Sequence, residues 1–299
     1  MWTSALASFL AALALYVIGR VRHPGIQVTL DGRRYLAMGG GRPGAMPFAL
    51  RWLLPAVCGS SVARWRRCTA IHMVLMPVLV SIWLSHWIQD ALLLAVGGLL
   101  VCGLPGVWRI HLRWPVLVDV TAMTWAVGSA IALQHHYYVL GVALALVAGC
   151  IKESGPIFAA CYAWHPLALV GLAAPALRRL VAPVGPDIFD EQEASILAHP
   201  LRAGLAAHAG RWFDLRVMLT PWGVGLLGGL ITPRSTFPML IITLMLAYGQ
   251  LLVATDSVRL YQWAAPPLIL ATISVVPPEF AVVALLVHLL NPWSGDGGA

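Results

Sequence analysis

Groups able to do chemistry are few in this chain, and the densest set lies between residues 31 and 55, in DGRRYLAMGGGRPGAMPFALRWLLP. Asp31 and Tyr35 stand four residues apart, one helical turn if the stretch is helical. A carboxylate beside a membrane can take a proton from an acceptor hydroxyl or amine, or hold a divalent cation. Asp31 also fits a structural role, as the N-cap of a helix over 32–38. Arg33, Arg34, Arg42 and Arg51 share the loop, and a guanidinium grips phosphate oxygens in pairs.

Lys152 and Glu153 form a second candidate, in KESG, and Lys152 is the only lysine in the chain. Neighbours in sequence do not face each other on a helix, so these two need not pair together. Lys152 is a compact cation suited to phosphate. Glu153 would fix it, orient an arginine or meet a substrate. The dipeptide also reads as a plain helix boundary, with Gly155-Pro156 opening the next helix. Asp256 and Arg259 are spaced i, i+3 and fit an ion pair, or an arginine turned to a phosphate. Asp119 falls inside an apolar stretch near Arg113, which suggests a buried pair. His135 and His136 are adjacent, which suits wet interfacial residues better than joint metal ligation. The chain has no phosphate-binding GxxxxGK[ST] loop, no HExxH and no GxSxG.

These residues must be held by membrane helices. The chain has 299 residues, 60% hydrophobic and only 10% charged, with a mean hydropathy of +0.81. A soluble domain carries roughly 25% charged residues, so the composition predicts an integral membrane protein, bacterial cytoplasmic membrane being the expected location. A charge at mid-span costs about 2.5–3.5 kcal/mol, so each one needs a reason. The net charge of +7 would suggest nucleic acid in a soluble protein. Here the arginines crowd span ends, where phospholipid headgroups are the expected partner and nucleic acid is not. The 13 tryptophans mostly fit the same headgroup belts. Cys58, Cys68, Cys102, Cys150 and Cys161 form no CxxC pair and read as small buried hydrophobes.

A spanning helix needs about 20 mostly apolar residues. The predicted fold is all-α, a polytopic bundle of about 8–10 spans. Candidate stretches are 2–19, 69–88, 91–107, 115–133, 137–151, 154–177, 217–233, 237–255, 260–277 and 280–290. The first reads as an uncleaved span, and Asp90 alone separates 69–88 from 91–107, predicting a tight hairpin. QHHYY at 134–138 divides two short spans. The whole chain, 1–299, reads as one transmembrane domain, with a polar first loop over 20–68 and a polar interfacial segment over 178–216. The latter holds Asp187, Asp190, Glu191, Glu193 and Asp214. Within it, 195–209 has apolar residues at helical spacing and is expected to lie along the membrane surface. Orientation stays open, because Arg-rich segments favour the cytoplasmic side, and residues 48–65 would reverse all that follows if they crossed.

An apolar first span, then Asp31, Tyr35, Pro47-Phe48, Arg51 and Leu53-Leu54-Pro55, resembles membrane glycosyltransferases of the GT-C type. The resemblance covers the first 55 residues best. It implies a polytopic GT-C-like fold and a polyprenyl-phosphate-linked sugar as donor. It also implies a lipid or cell-envelope glycan acceptor and a catalytic aspartate in the first loop, here Asp31. Tyr35, Arg51, Lys152, Glu153, Asp256 and Arg259 are the expected substrate-binding residues. A divalent metal is a possible cofactor, with no ligands assigned. The chain departs from that family in its first-loop arginine excess and in showing no large soluble domain after its spans. Two other readings compete: a transporter or flippase for a lipid-linked or anionic substrate, and a non-catalytic membrane assembly protein.

Overall fold

A computed structural model describes residues 2–186, 200–209, 219, 222–223, 226, 237–252 and 258–290. Among them the chain is all-helical, with one isolated bridge between Gly44 and Val184 and no strand. In chain order the helices begin with α1 (Trp2–Arg22), α2 (Leu30–Gly39), α3 (Leu53–Cys58) and α4 (Val62–Leu84). Next come α5 (Ala91–Leu100), α6 (Ile110–Arg113), α7 (Asp119–Gln134), α8 (Tyr138–Ile151), α9 (Gly155–Ala163) and α10 (Ala173–Val181). The later ones are α11 (Pro200–His208), α12 (Phe237–Gly249), α13 (Val258–Tyr261), α14 (Ala265–Ile273) and α15 (Pro278–Leu289).

Among the described residues two helices, α1 and α4, are long and apolar enough to cross a membrane. A third span results if Ala91–Gly103 and Pro105–Arg113, bent by 68°, count as one. The α4 helix starts at Val62, before the apolar window, because hydropathy marks the depth of lipid and not the end of hydrogen bonding. Its first turns carry exposed Arg64, Arg66 and Arg67, whose stems can lie on lipid while the heads stay wet. Elsewhere the apolar stretches fold as shorter helices. Proline explains one case: Pro156, Pro166 and Pro175 divide 154–177 into α9, a 3-10 segment (Pro166–Leu172) and α10. Residues 48–65 form a short 3-10 turn, α3 and the beginning of α4, with no helix there long enough to cross. Most of 217–233 lies outside the described residues. So do 195–199 and the five acids of the 178–216 segment, while α11 forms with Leu201 and Leu205 exposed.

The chain divides into two compact units. One comprises 1–19, 74–110 and 200–299. There Asp90 caps α5, its carboxylate accepting from Leu93 N at 2.9 Å. The break after α5 is filled by side chains: the Gln262 carbonyl accepts from Gly106 N at 2.7 Å, and His288 Nε2 donates to Leu100 O at 2.8 Å. This is how backbone freed by a broken helix is satisfied inside protein.

The other unit comprises 20–73 and 111–199 and holds the candidate site. The helices α7 and α8 form a hairpin whose break falls at 135–137, where QHHYY was expected to interrupt, with His135 and His136 exposed. Ser129 Oγ donates to Gly141 O at 2.7 Å across it. The N-cap of α2 is Thr29, whose Oγ1 accepts from Gly32 N at 3.1 Å, so the cap role considered for Asp31 belongs to Thr29. The C-terminus of α2 lies against Gly59, which turns the chain at φ +60°. A Cβ on Gly39 would sit 2.3 Å from the Gly59 carbonyl. Gly39→Val is therefore expected to cost about 1–3 kcal/mol, as overpacked contacts do, read as a lower melting temperature of the detergent-solubilised protein. An unchanged melt would count against this close approach.

Candidate functional site

Asp31 occupies the first turn of α2, where a carboxylate suits the positive end of the helix. One turn on, Arg34 reaches back, its Nη1 3.3 Å from Asp31 Oδ1. Arg34 is buried, its guanidinium 4.7 Å over the Phe48 ring, while the Asp31 side chain keeps 22% exposure. Tyr35, also buried, lies edge-on to Phe48 at 5.5 Å and stacks on Trp65 at 5.8 Å. Trp65 Nε1 in turn donates to Gly59 O at 3.0 Å. The α2 register thus presents Asp31, Arg34 and Tyr35 at i, i+3 and i+4, on one face.

Arg51 follows the Phe48–Leu50 turn and connects this face to the KESG segment. Its Nε and Nη2 donate to Glu153 Oε2 and Oε1 at 2.8 and 2.5 Å, and its Nη1 donates to the Tyr35 hydroxyl at 3.0 Å. Burial alone would lower the Arg51 pKa, but Glu153 and Tyr35 together more than reverse this and hold it well above the usual guanidinium range. Burial likewise pushes the Glu153 carboxyl up, and the charge and hydrogen bonds of Arg51, with the Lys152 charge, together outweigh it, leaving Glu153 below the ordinary carboxylate value. For Tyr35, burial raises the phenol strongly, and Arg51 only partly offsets that, so it stays protonated at neutral pH.

The lowered Glu153 value carries a sign. A depressed carboxylate stabilises the fold above its unfolded pKa of about 4.3 and loses that contribution as pH falls through the folded value below it. Wild-type melting temperature should therefore fall along this acid limb, and Glu153→Gln should flatten that part of the curve. A pH–melting profile of the two proteins checks it, and parallel curves would contradict the pairing.

Lys152, beside Glu153, points elsewhere. Its Nζ donates to Asp119 Oδ1 in the first turn of α7, and both side chains are only 6% exposed. Thr69 Oγ1, donating to Pro115 O at 2.7 Å, and Gln27 N, donating to Arg113 O at 2.9 Å, secure the segment that delivers Asp119. Gly32 packs against Val116, where a Cβ would come 3.1 Å from Val116 O. No protein-family model, no curated protein and no solved structure matches this chain. Function is therefore read from the geometry.

Five residues singled out from the sequence lie in this one unit: Asp31, Arg51, Lys152 and Glu153 belong to ion pairs, and Tyr35 accepts a hydrogen bond from Arg51. Arg259, in α13, belongs to the other unit, and Asp256 lies outside the described residues. From the sequence, no individual role falls to Arg34, Phe48 or Trp65. The i, i+3 spacing of Asp31 and Arg34 was a signal for the first. Nothing local marks Trp65 as a wall for Tyr35, and reading tryptophans as headgroup anchors pointed away from it: Trp65, Trp83, Trp222 and Trp263 are fully buried. Among the described residues, no group of three or more His, Cys, Asp or Glu is placed to hold a metal ion. None of the five cysteines is in a disulfide, and Cys58, Cys102 and Cys161 are buried.

Proposed function

We propose that the chain is a GT-C type membrane glycosyltransferase that moves a sugar from a polyprenyl-phosphate donor to a lipid or cell-envelope glycan acceptor. The observation that carries the reading is the meeting of Asp31, Tyr35, Arg51, Lys152 and Glu153 from three separated stretches in one cluster at a helix start. The shorter apolar helices, Tyr138–Ile151, Pro238–Leu252 and Pro278–Leu289, would complete the polytopic bundle and bind the polyprenyl chain.

In this mechanism Asp31 takes the acceptor proton as the acceptor oxygen attacks the anomeric carbon. The bond from that carbon to the phosphate oxygen breaks, and the phosphate leaves with the electron pair. Arg51 holds the leaving oxygens, since its three bonds to Glu153 and Tyr35 use fewer N–H groups than a guanidinium carries. Charge grows on the phosphate in the transition state, and a fixed donor is worth most there. Glu153 and Tyr35 set the angle of Arg51, and Lys152 holds Glu153 in place through Asp119.

One observation favours the assembly-protein reading: Arg51 and Lys152 each already hold a carboxylate. Transfer assays separate the two. The full chain in vesicles, given a panel of radiolabelled polyprenyl-phosphate sugars and an envelope lipid extract, should move label into the lipid or glycan fraction. No transfer from any donor would leave the cluster as a structural clamp.

A further inference from the structure

A half-buried cation of this unit lies outside the paired cluster. Arg178, in the last turn of α10, is half-buried with its guanidinium 5.8 Å over the Trp52 ring and its Nε 3.5 Å from Ala49 O. An aromatic face and a carbonyl position a guanidinium without neutralising it. Among the described residues no carboxylate pairs with Arg178. The described acids of this unit, Asp31, Asp119 and Glu153, already face Arg34, Lys152 and Arg51.

The surface around Arg178 is apolar and basic together. Leu177, Leu180 and Val181 on α10 are exposed, as are Leu167, Leu169 and Val170 on the preceding 3-10 segment. Arg179 beside them is exposed. A short helix with this pattern lies in the headgroup plane, its leucines among the acyl chains and its arginines on phosphates. Arg33, Arg42, Arg64, Arg66 and Arg67 are exposed on the same unit, so the charge of its surface matches an anionic leaflet.

We infer that α10 is a binding site for an anionic phospholipid, with Arg178 holding the headgroup phosphate on the Trp52 shelf and Arg179 adding a second contact. The inference needs a membrane around the unit and is independent of the transfer chemistry.

Hydrogen exchange of the 173–181 amides tests it on the full chain, in nanodiscs of phosphatidylcholine alone and of phosphatidylcholine mixed equally with phosphatidylglycerol. Phosphatidylglycerol should slow exchange of this segment, by about fivefold for each arginine engaged. Arg178→Gln and Arg179→Gln should each remove about fivefold of that gain, and Arg178→Lys should keep much of it. Equal exchange in the two lipids, or an undiminished gain in Arg178→Gln, would overturn the site. The same protection from inorganic phosphate in phosphatidylcholine nanodiscs would also overturn it, by showing a free-phosphate site instead. If Arg178→Gln fails to fold, the wild-type lipid comparison and its loss at high salt decide the question. Loss of sugar transfer in Asp31→Asn has no bearing on this result.

Discussion

Asp31→Asn should abolish sugar transfer while leaving the protein folded and inserted. The substitution keeps the size of the side chain and removes its ability to accept a proton. A positioned general base contributes about 100- to 10,000-fold, so transfer should fall by that range in a radiolabel assay. The asparagine amide would still offer an oxygen to Arg34, and Thr29, not Asp31, caps α2, so the fold loses little. Melting temperature measured beside activity separates the two effects. Full transfer by Asp31→Asn would remove the base role. Loss of transfer together with a collapsed melt would assign Asp31 to structure.

The largest effect on stability is expected at Lys152. Lys152→Met leaves the Asp119 carboxylate in a place where both side chains had only 6% exposure. Removing one partner of a buried pair typically costs about 3–5 kcal/mol, because the remaining charge is stranded. Replacing both partners by apolar residues of similar size is often neutral or better. Lys152→Met with Asp119→Leu should therefore recover most of the loss, although each single variant is damaged. Chemical denaturation in detergent reads the three proteins against wild type. Additive losses in the double variant would mean that the pair is not the unit of stability. If Lys152 serves only to hold Glu153 and α7 in place, the double variant should also regain part of the transfer rate. Direct phosphate binding by Lys152 predicts that it would not.

Several elements were legible from residue types alone. Gly155-Pro156 opens a helix as expected, and QHHYY breaks one. Both signals are local, so they survive without knowledge of the rest of the fold. Lys152 and Glu153 need not pair as neighbours in sequence, and each holds a different partner. Their partners were not legible. Arg51 lies 102 residues from Glu153, and Asp119 lies 33 residues from Lys152. No periodicity encodes a contact over such separations, and Arg113, close in sequence, looked the nearer mate for Asp119. Some helices, such as α9 and α10, are shorter than the apolar stretch that holds them for a related reason. Hydropathy counts apolar residues regardless of what they touch, so the buried helix α7 and a lipid-facing one score alike.

The opposed directions of Lys152 and Glu153 have a consequence for synthesis. Arg51 is buried against a carboxylate encoded 102 residues later, so for much of translation the first loop carries a cation with its final counter-ion still unmade. At roughly 5–20 residues per second this interval is on the order of ten seconds. Lys152 and Glu153 are added in consecutive steps, one bound for α7 and the other for the first loop. The residues of α7 and α8 are all made by then, so the last members of this unit's polar centre to be synthesised are two adjacent side chains that complete two separate ion pairs.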